Sequence, residues 1–295
     1  MTVPRETGAI HDIGYRNYDG PRLGPPYIER SLAVASLRGA FGLGRSTRSK
    51  VMPVLLLAVM VVPALIVSAI VVISGADELP LAYTSYAIRL GVVSTVFVAA
   101  QAPQSVSRDL RFRVVELYFS RPLSRRSYVR AKLAAMSAAV FVLMAAPLLV
   151  LYGGAVLGGL PFWHNTRDLL AGLAGAVVLA VVLASLGLLV AAWTPRRGIG
   201  VAAIVAVILV LGGVSAIAQG VSQDQGHPVL AGWSGLVAPY PLVDGVQVWA
   251  LGAESSTVIG PPGTAGGPVF ALVVVAFVAA CYLLLVRRYR RVTAS

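Results

Sequence analysis

Apolar runs long enough to cross a lipid bilayer are what most constrain this chain. A hydrocarbon layer of about 30 Å takes about 20 helical residues to span, and several uninterrupted stretches meet that length. Of the 295 residues, 57% are hydrophobic and only 12% charged, with a mean hydropathy of +0.81. Ordinary soluble domains carry roughly 25% charged residues, so a soluble core has no room for this much apolar surface. The expectation is an all-α integral membrane protein.

Six transmembrane helices are expected, over residues 51–73, 84–106, 133–157, 169–193, 199–218 and 269–286. The second is the weakest, interrupted by Arg89, Gln101, Pro103 and Gln104, but an even count makes the charges self-consistent. With both termini cytoplasmic, segments 1–50, 107–132, 194–198 and 287–295 hold all 24 Lys/Arg except Arg89 and Arg167. Those segments also hold Glu6, Asp12, Asp19, Glu29, Asp109 and Glu116, while Asp77, Glu78, Asp168, Asp224, Asp244 and Glu254 fall outside. That distribution follows the positive-inside rule. A net charge of +12 would suggest nucleic acid in a soluble protein; here it reads as membrane orientation, with no nucleic-acid partner. The single cysteine, Cys281, lies in an apolar run, which excludes an intramolecular disulfide and a cysteine metal site.

The chain thus divides into a cytoplasmic segment 1–50, a six-span domain 51–286 and a basic cytoplasmic tail 287–295. No short apolar stretch with a small-residue cleavage site precedes residue 51, so the first span is expected to be retained. Residues 27–50 read as an interfacial helix, with Arg30, Arg38, Arg45 and Arg48 on one side and Ile28, Leu32 and Leu43 roughly opposite. In the outer segment 221–268, a seventh crossing over 229–251 is opposed by Pro239, Pro241 and Asp244. It would also carry Arg287, Arg288, Arg290 and Arg291 outside. Two re-entrant half-helices broken at Pro239-Tyr240-Pro241 fit better, with Trp233, Tyr240 and Trp249 suited to an outer aromatic belt.

The loop 107–132 is the most informative segment. A helix there places Leu110, Val114, Leu117 and Tyr118 on one face and Asp109, Arg113 and Glu116 on another. It stops at Arg121-Pro122, after which Ser124 can cap a helix running into the third span. The charges alone would serve to hold the loop in the cytoplasm. Combined with a cap and a proline stop, they make a docking knob for a soluble partner.

At this point the chain resembles the permease subunits of ATP-binding cassette (ABC) exporters, specifically the type-2 permease family. The resemblance is carried by Gly14-Tyr-Arg-Asn-Tyr-Asp-Gly-Pro-Arg-Leu-Gly24, by Ser107-Arg-Asp-Leu-Arg111 leading to Leu117-Tyr-Phe-Ser-Arg-Pro-Leu-Ser-Arg125, and by Pro239-Tyr-Pro-Leu-Val-Asp-Gly245. It implies a surface helix before the first span, a coupling helix over 108–119 and re-entrant helices before the sixth. It also implies a bacterial plasma-membrane location, a second permease copy or homologue, and two copies of a separate ATPase. Arg108, Asp109, Arg111, Arg113, Glu116, Leu117 and Tyr118 are then the candidate docking residues. The chain has no Gly-x-x-x-x-Gly-Lys-Ser/Thr phosphate loop, so no cofactor is expected on it, and ATP and Mg are expected in the partner.

Polar residues inside spans are costly and serve as candidates for a translocation path: Arg89, Gln101, Gln104 and Gln219, with Ser185 as a further hydroxyl within a span. Arg89 can also snorkel to the interface, and the glutamines can bond helix to helix. Pro63 and Pro147 sit mid-span as possible kinks, and Gly154-x-x-x-Gly158 as a close-packing motif. Gly232-Trp-Ser-Gly235 invites comparison with rhomboid-type intramembrane proteases, but the last span has no histidine to activate Ser234. His11, His164 and His227 are scattered, giving no metal site, and the absence of paired intramembrane carboxylates weakens an ion-coupled carrier. The substrate class expected is hydrophobic or amphipathic, drug-like or lipid-like.

Overall fold

The computed structural model describes residues 14, 19–20, 23–44, 46–112, 114–120, 123–194, 196–257 and 259–292, and regular structure among them is helical throughout. The N-terminal motif 14–24 lies mostly outside the described residues. Five helices are long and apolar enough to cross a bilayer: α2 (Thr47–Ser74), α7 (Arg125–Leu157), α8 (Phe162–Trp193), α9 (Arg197–Asp224) and α12 (Gly263–Val292). A sixth stretch is long and apolar enough only as a pair, α3 (Tyr83–Arg89) with α4 (Gly91–Ser105) and its continuation to Arg111, bent by 57°. The remaining helices are α1 (Pro25–Ala40), α5 (Ser107–Arg111), α6 (Val114–Phe119), α10 (Pro228–Ser234) and α11 (Pro239–Leu251), the last two joined by a 3-10 turn at Gly235–Val237.

Helix α8 is the centre of the bundle, packing against α3, α4, α7, α9, α11 and α12. Small residues let its neighbours approach: a β-carbon at Gly172 would strike Tyr83 of α3, at Gly175 the Gln247 side chain of α11, and at Gly187 Val98 of α4. In a bilayer, where lipid tails are as apolar as leucine, such close backbone contact is what holds helices together. The Gly154-x-x-x-Gly158 motif works the same way, opening α7 to Ser68 and Val71 of α2. Ser68 adds a hydrogen bond to the Val150 carbonyl at 3.2 Å. The apolar stretches of α2, α9 and α12 are only 22%, 17% and 22% buried, against 61% in α8, so their outer faces are left for lipid or another chain.

Two expectations are corrected and one is extended. The interfacial helix does not run to residue 50. It ends at Ala40, because the chain turns through Gly42 (φ +68°), where a β-carbon would also lie 2.5 Å from the Ser49 carbonyl oxygen. Arg48 and Lys50 therefore belong to α2, and Arg45 lies outside the described residues. Helix α1 packs on α7, burying Leu32, with Glu29 paired to Arg130 at 2.9 Å. Second, α2 and α7 run on through Pro63 and Pro147, and a sharp bend not expected from the sequence falls at Leu90, where no proline stands. There the Tyr240 hydroxyl donates to the Gly91 carbonyl and lies 2.8 Å from Thr95 Oγ1, and a β-carbon on Gly91 would sit 2.7 Å from the Tyr240 ring. A side chain inserted into the helical ladder is a sufficient cause for such a bend. Third, Tyr240 is consequently packed inward and contributes nothing to an aromatic belt, whereas Trp249 is exposed and Trp233 stacks on Phe270 at 6.3 Å.

Candidate functional site

The basic residues gather at one end of the bundle, around α5, α6 and the starts or ends of α4, α7, α8 and α12. The segment expected as one helix over 108–119 is two short ones, α5 and α6, with the turn at Phe112. The break resets the helical phase. Val115 becomes the buried residue of α6, while Leu117 is 69% exposed and Phe112 64% exposed. Arg108 and Arg111 are exposed, and the Arg111 guanidinium lies 5.7 Å from the Phe112 ring centroid. Arg113 lies outside the described residues, as does the Glu116 side chain.

Asp109 does not join the exposed set. Its Oδ2 accepts from the Tyr128 hydroxyl at 2.7 Å and pairs with Lys132 Nζ at 2.9 Å, both on α7. Lys132, itself buried, also donates to the Ser105 carbonyl at 3.0 Å, at the last residue of α4. A cation there meets the negative end of the helix dipole and a carbonyl that has no intrahelical donor. One ammonium group thus ties α4, α5 and α7 together. The ring of Tyr128 packs edge-on to Tyr289 of α12 at 5.0 Å and lies within 6 Å of Tyr118 and Phe119 of α6. Tyr118 accordingly faces inward; burial, and after it the Asp109 carboxylate, push its phenol above the usual value. Ser107 donates to the Ala191 carbonyl at 2.8 Å and Arg288 to the Ala192 carbonyl at 3.4 Å, so α5 and α12 both fasten to the end of α8.

The four path candidates are not brought together. Gln101 and Gln104 line a cavity of about 220 Å³ beneath α1, with Ser36, Tyr118 and Lys132. Arg89 lines a separate cavity of about 570 Å³ at the opposite end, among Asp77, Glu78, His164, Asp168 and Glu254. Gln219 is buried in α9 and lines neither. Ser185 is spent on the Val181 carbonyl of its own helix, and Ser234 on the Ala231 carbonyl. Sequence reasoning missed Lys132, Tyr128 and Phe112 as site residues. A lysine at the mouth of an apolar run was the available signal for the first.

At the acidic end, α11 carries a buried carboxylate. Asp244 accepts from Ser255 Oγ (2.8 Å), Ser256 N (3.0 Å), Thr257 N (3.3 Å) and Thr257 Oγ1 (3.1 Å), holding the loop after α11 against that helix.

The bundle of long apolar helices, with a short two-helix elbow wired into several of them, is that of an all-α integral membrane protein. The family model described as "ABC-2 family transporter protein" matches residues 80–286, well over half of the chain, and the chain belongs to that family of ABC type-2 permeases. Membership makes it a membrane transport component that associates with an ABC ATPase. The match leaves α1 and α2 outside. No curated protein matches the chain.

Proposed function

We propose that this chain is the membrane-spanning subunit of an ABC exporter and that α5 and α6 form the coupling elbow on which a separate ATPase docks. The observation that carries this reading is the two-sided build of the elbow. Its tip exposes Arg108, Arg111, Phe112 and Leu117, while its root, through Asp109 and Ser107, is fastened to α4, α7 and α8. Exposed aromatic and arginine side chains in one small patch are the composition of a contact hot spot. Burying Phe112 and Leu117 against a partner is worth about 1.5–3 kcal/mol each. A push on the tip then reaches several spans as a rigid-body displacement, the motion that alternates inward-open and outward-open states.

On this reading the basic end faces the cytoplasm of a bacterial cell, two permease copies sit side by side over two ATPase subunits, and ATP and Mg are held in those partners. α10 and α11 are the re-entrant outer helices. The substrate is hydrophobic or amphipathic, drug-like or lipid-like, in keeping with the apolar composition of the spans. The paired reversal Arg108→Glu and Arg111→Glu should abolish co-purification of the co-expressed ATPase while the chain still inserts in the membrane; undiminished co-purification overturns the docking assignment. Cysteine accessibility should place residue 291 on the cytoplasmic side and residue 224 outside.

A further inference from the structure

The cavity of about 570 Å³ at the acidic end is framed by the loop between α2 and α3, the loop between α7 and α8, and the segment after α11. Its charged lining is Asp77, Glu78, Asp168 and Glu254 against Arg89, a formal −3 with His164 neutral. Asp168 lies 3.3 Å from His164 Nε2, one turn earlier on α8. The side chains of Asp77, Glu78, Glu254 and Arg89 make no ion pair or hydrogen bond among the described residues. Nor do any three acidic or imidazole groups among the described residues come together as a metal ion would require. Apolar wall is supplied by Leu79, Leu81, Leu160 and Leu251. The uncharged polar groups of the lining are unevenly satisfied. Tyr83 donates to Asn165 Oδ1 at 3.3 Å, and Asn165 Nδ2 donates to the Pro161 carbonyl at 3.0 Å. Thr84, only 8% exposed, has a hydroxyl with no hydrogen-bond partner among the described residues. A hydroxyl so buried is rarely left unpaired, and the cavity is the place from which a partner can come.

We propose that this cavity binds a protonated primary amine carrying an apolar arm. A cleft lined by one sign of charge, with low-dielectric walls, focuses the field and concentrates counter-ions within it. An ammonium group offers three N–H donors, enough to serve carboxylate and hydroxyl acceptors at once. The leucines give the arm a surface that an inorganic cation would not use. The cavity volume lies within the roughly 300–1,000 Å³ of small-molecule sites. Arg89 is the one guanidinium among the described lining residues, and it opposes the cation. This site requires only the helical bundle and stands apart from ATPase docking at α5 and α6.

The test is isothermal titration calorimetry of phenethylammonium into the purified full chain, without ATPase, in phosphatidylcholine nanodiscs, with empty nanodiscs subtracted. Saturable binding is expected, with phenylethanol, which lacks the charge, and methylammonium, which lacks the arm, each weaker by on the order of tenfold. The triple variant Asp77→Asn, Glu78→Gln, Glu254→Gln should weaken binding by on the order of tenfold. These three carboxylates are exposed, so its thermal unfolding should match the wild type. Thr84→Val should weaken binding about threefold, whereas Thr84→Ser keeps it, and Arg89→Gln should tighten it. Equal affinity of wild type and triple variant overturns the proposal. So does an equal loss in Asp224→Asn, an exposed acid outside the cavity lining, which marks a general surface field. Phenylethanol binding as tightly as the amine also overturns it, as does saturable binding of Mg in the amine's place, which marks a metal site.

Discussion

The two ends of the molecule each hold an aspartate in a polar network, Asp109 partly buried and Asp244 fully, and they use it in opposite ways. At the basic end Asp109 is matched by a full positive charge on Lys132 and by the Tyr128 hydroxyl, contacts 19 and 23 residues away that join α4, α5 and α7. At the acidic end Asp244 has only neutral donors, two backbone amides and two hydroxyls, all 11–13 residues downstream in one loop. The first arrangement couples distant helices, and the second shapes a local connection. A buried ion pair adds little net stability over an apolar substitute, but removing one partner strands the other charge, so it acts as a demanding registry device. A carboxylate satisfied by neutral donors leaves only unpaired amides behind when it is lost.

The largest effect should therefore come from Asp109→Ala, which leaves the Lys132 ammonium buried without its counter-charge and should cost about 3–5 kcal/mol. Thermal unfolding in detergent measures it, and Asp109→Leu combined with Lys132→Met should recover most of the loss. Asp244→Ala should cost less, about 1–3 kcal/mol, because what remains unpaired is neutral. Its loop around residues 255–257 should become protease-sensitive while ATPase binding persists. If the two aspartates prove equal in cost, the contrast between ionic and neutral partners is wrong.

Smaller again is Tyr240→Phe, which removes the hydroxyl contacts to Gly91 and Thr95 at the bend of the second crossing. About 0.5–1.5 kcal/mol is expected, again from unfolding, with the ring still packed on Gly91. Leu117→Asp should lie within ±0.5 kcal/mol of the wild type, since the side chain touches little in the isolated chain. ATPase co-purification should nonetheless fall sharply, which separates the tip of the elbow from its root.

The crossings were legible because apolar length is a property of the sequence alone, and the small-residue motif at Gly154 and Gly158 was legible because its spacing puts both on one helix face. The break in the second crossing was not: it is caused by Tyr240, about 150 residues away, and no local breaker marks Leu90. The docking face was half legible. Read as one helix, 108–119 groups Leu110, Val114, Leu117 and Tyr118 on a single face; the turn at Phe112 leaves Leu117 exposed while Tyr118 packs on Tyr128, and Asp109 is drawn inward by Tyr128 and Lys132 of α7. The Lys132 pairing depends on how α7 folds back over α4, which no periodicity encodes. The start of α11 at Pro239 was readable because proline at a first helical turn has a fixed meaning.

The most direct measurement places a photoactivatable phenylalanine analogue at position 117, at the elbow tip, or at position 249, exposed at the acidic end, with the ABC ATPase co-expressed. Irradiation should yield a covalent adduct between chain and ATPase from position 117 and none from 249. An adduct from 249, or none from 117 in a complex that still co-purifies, would contradict docking at the elbow.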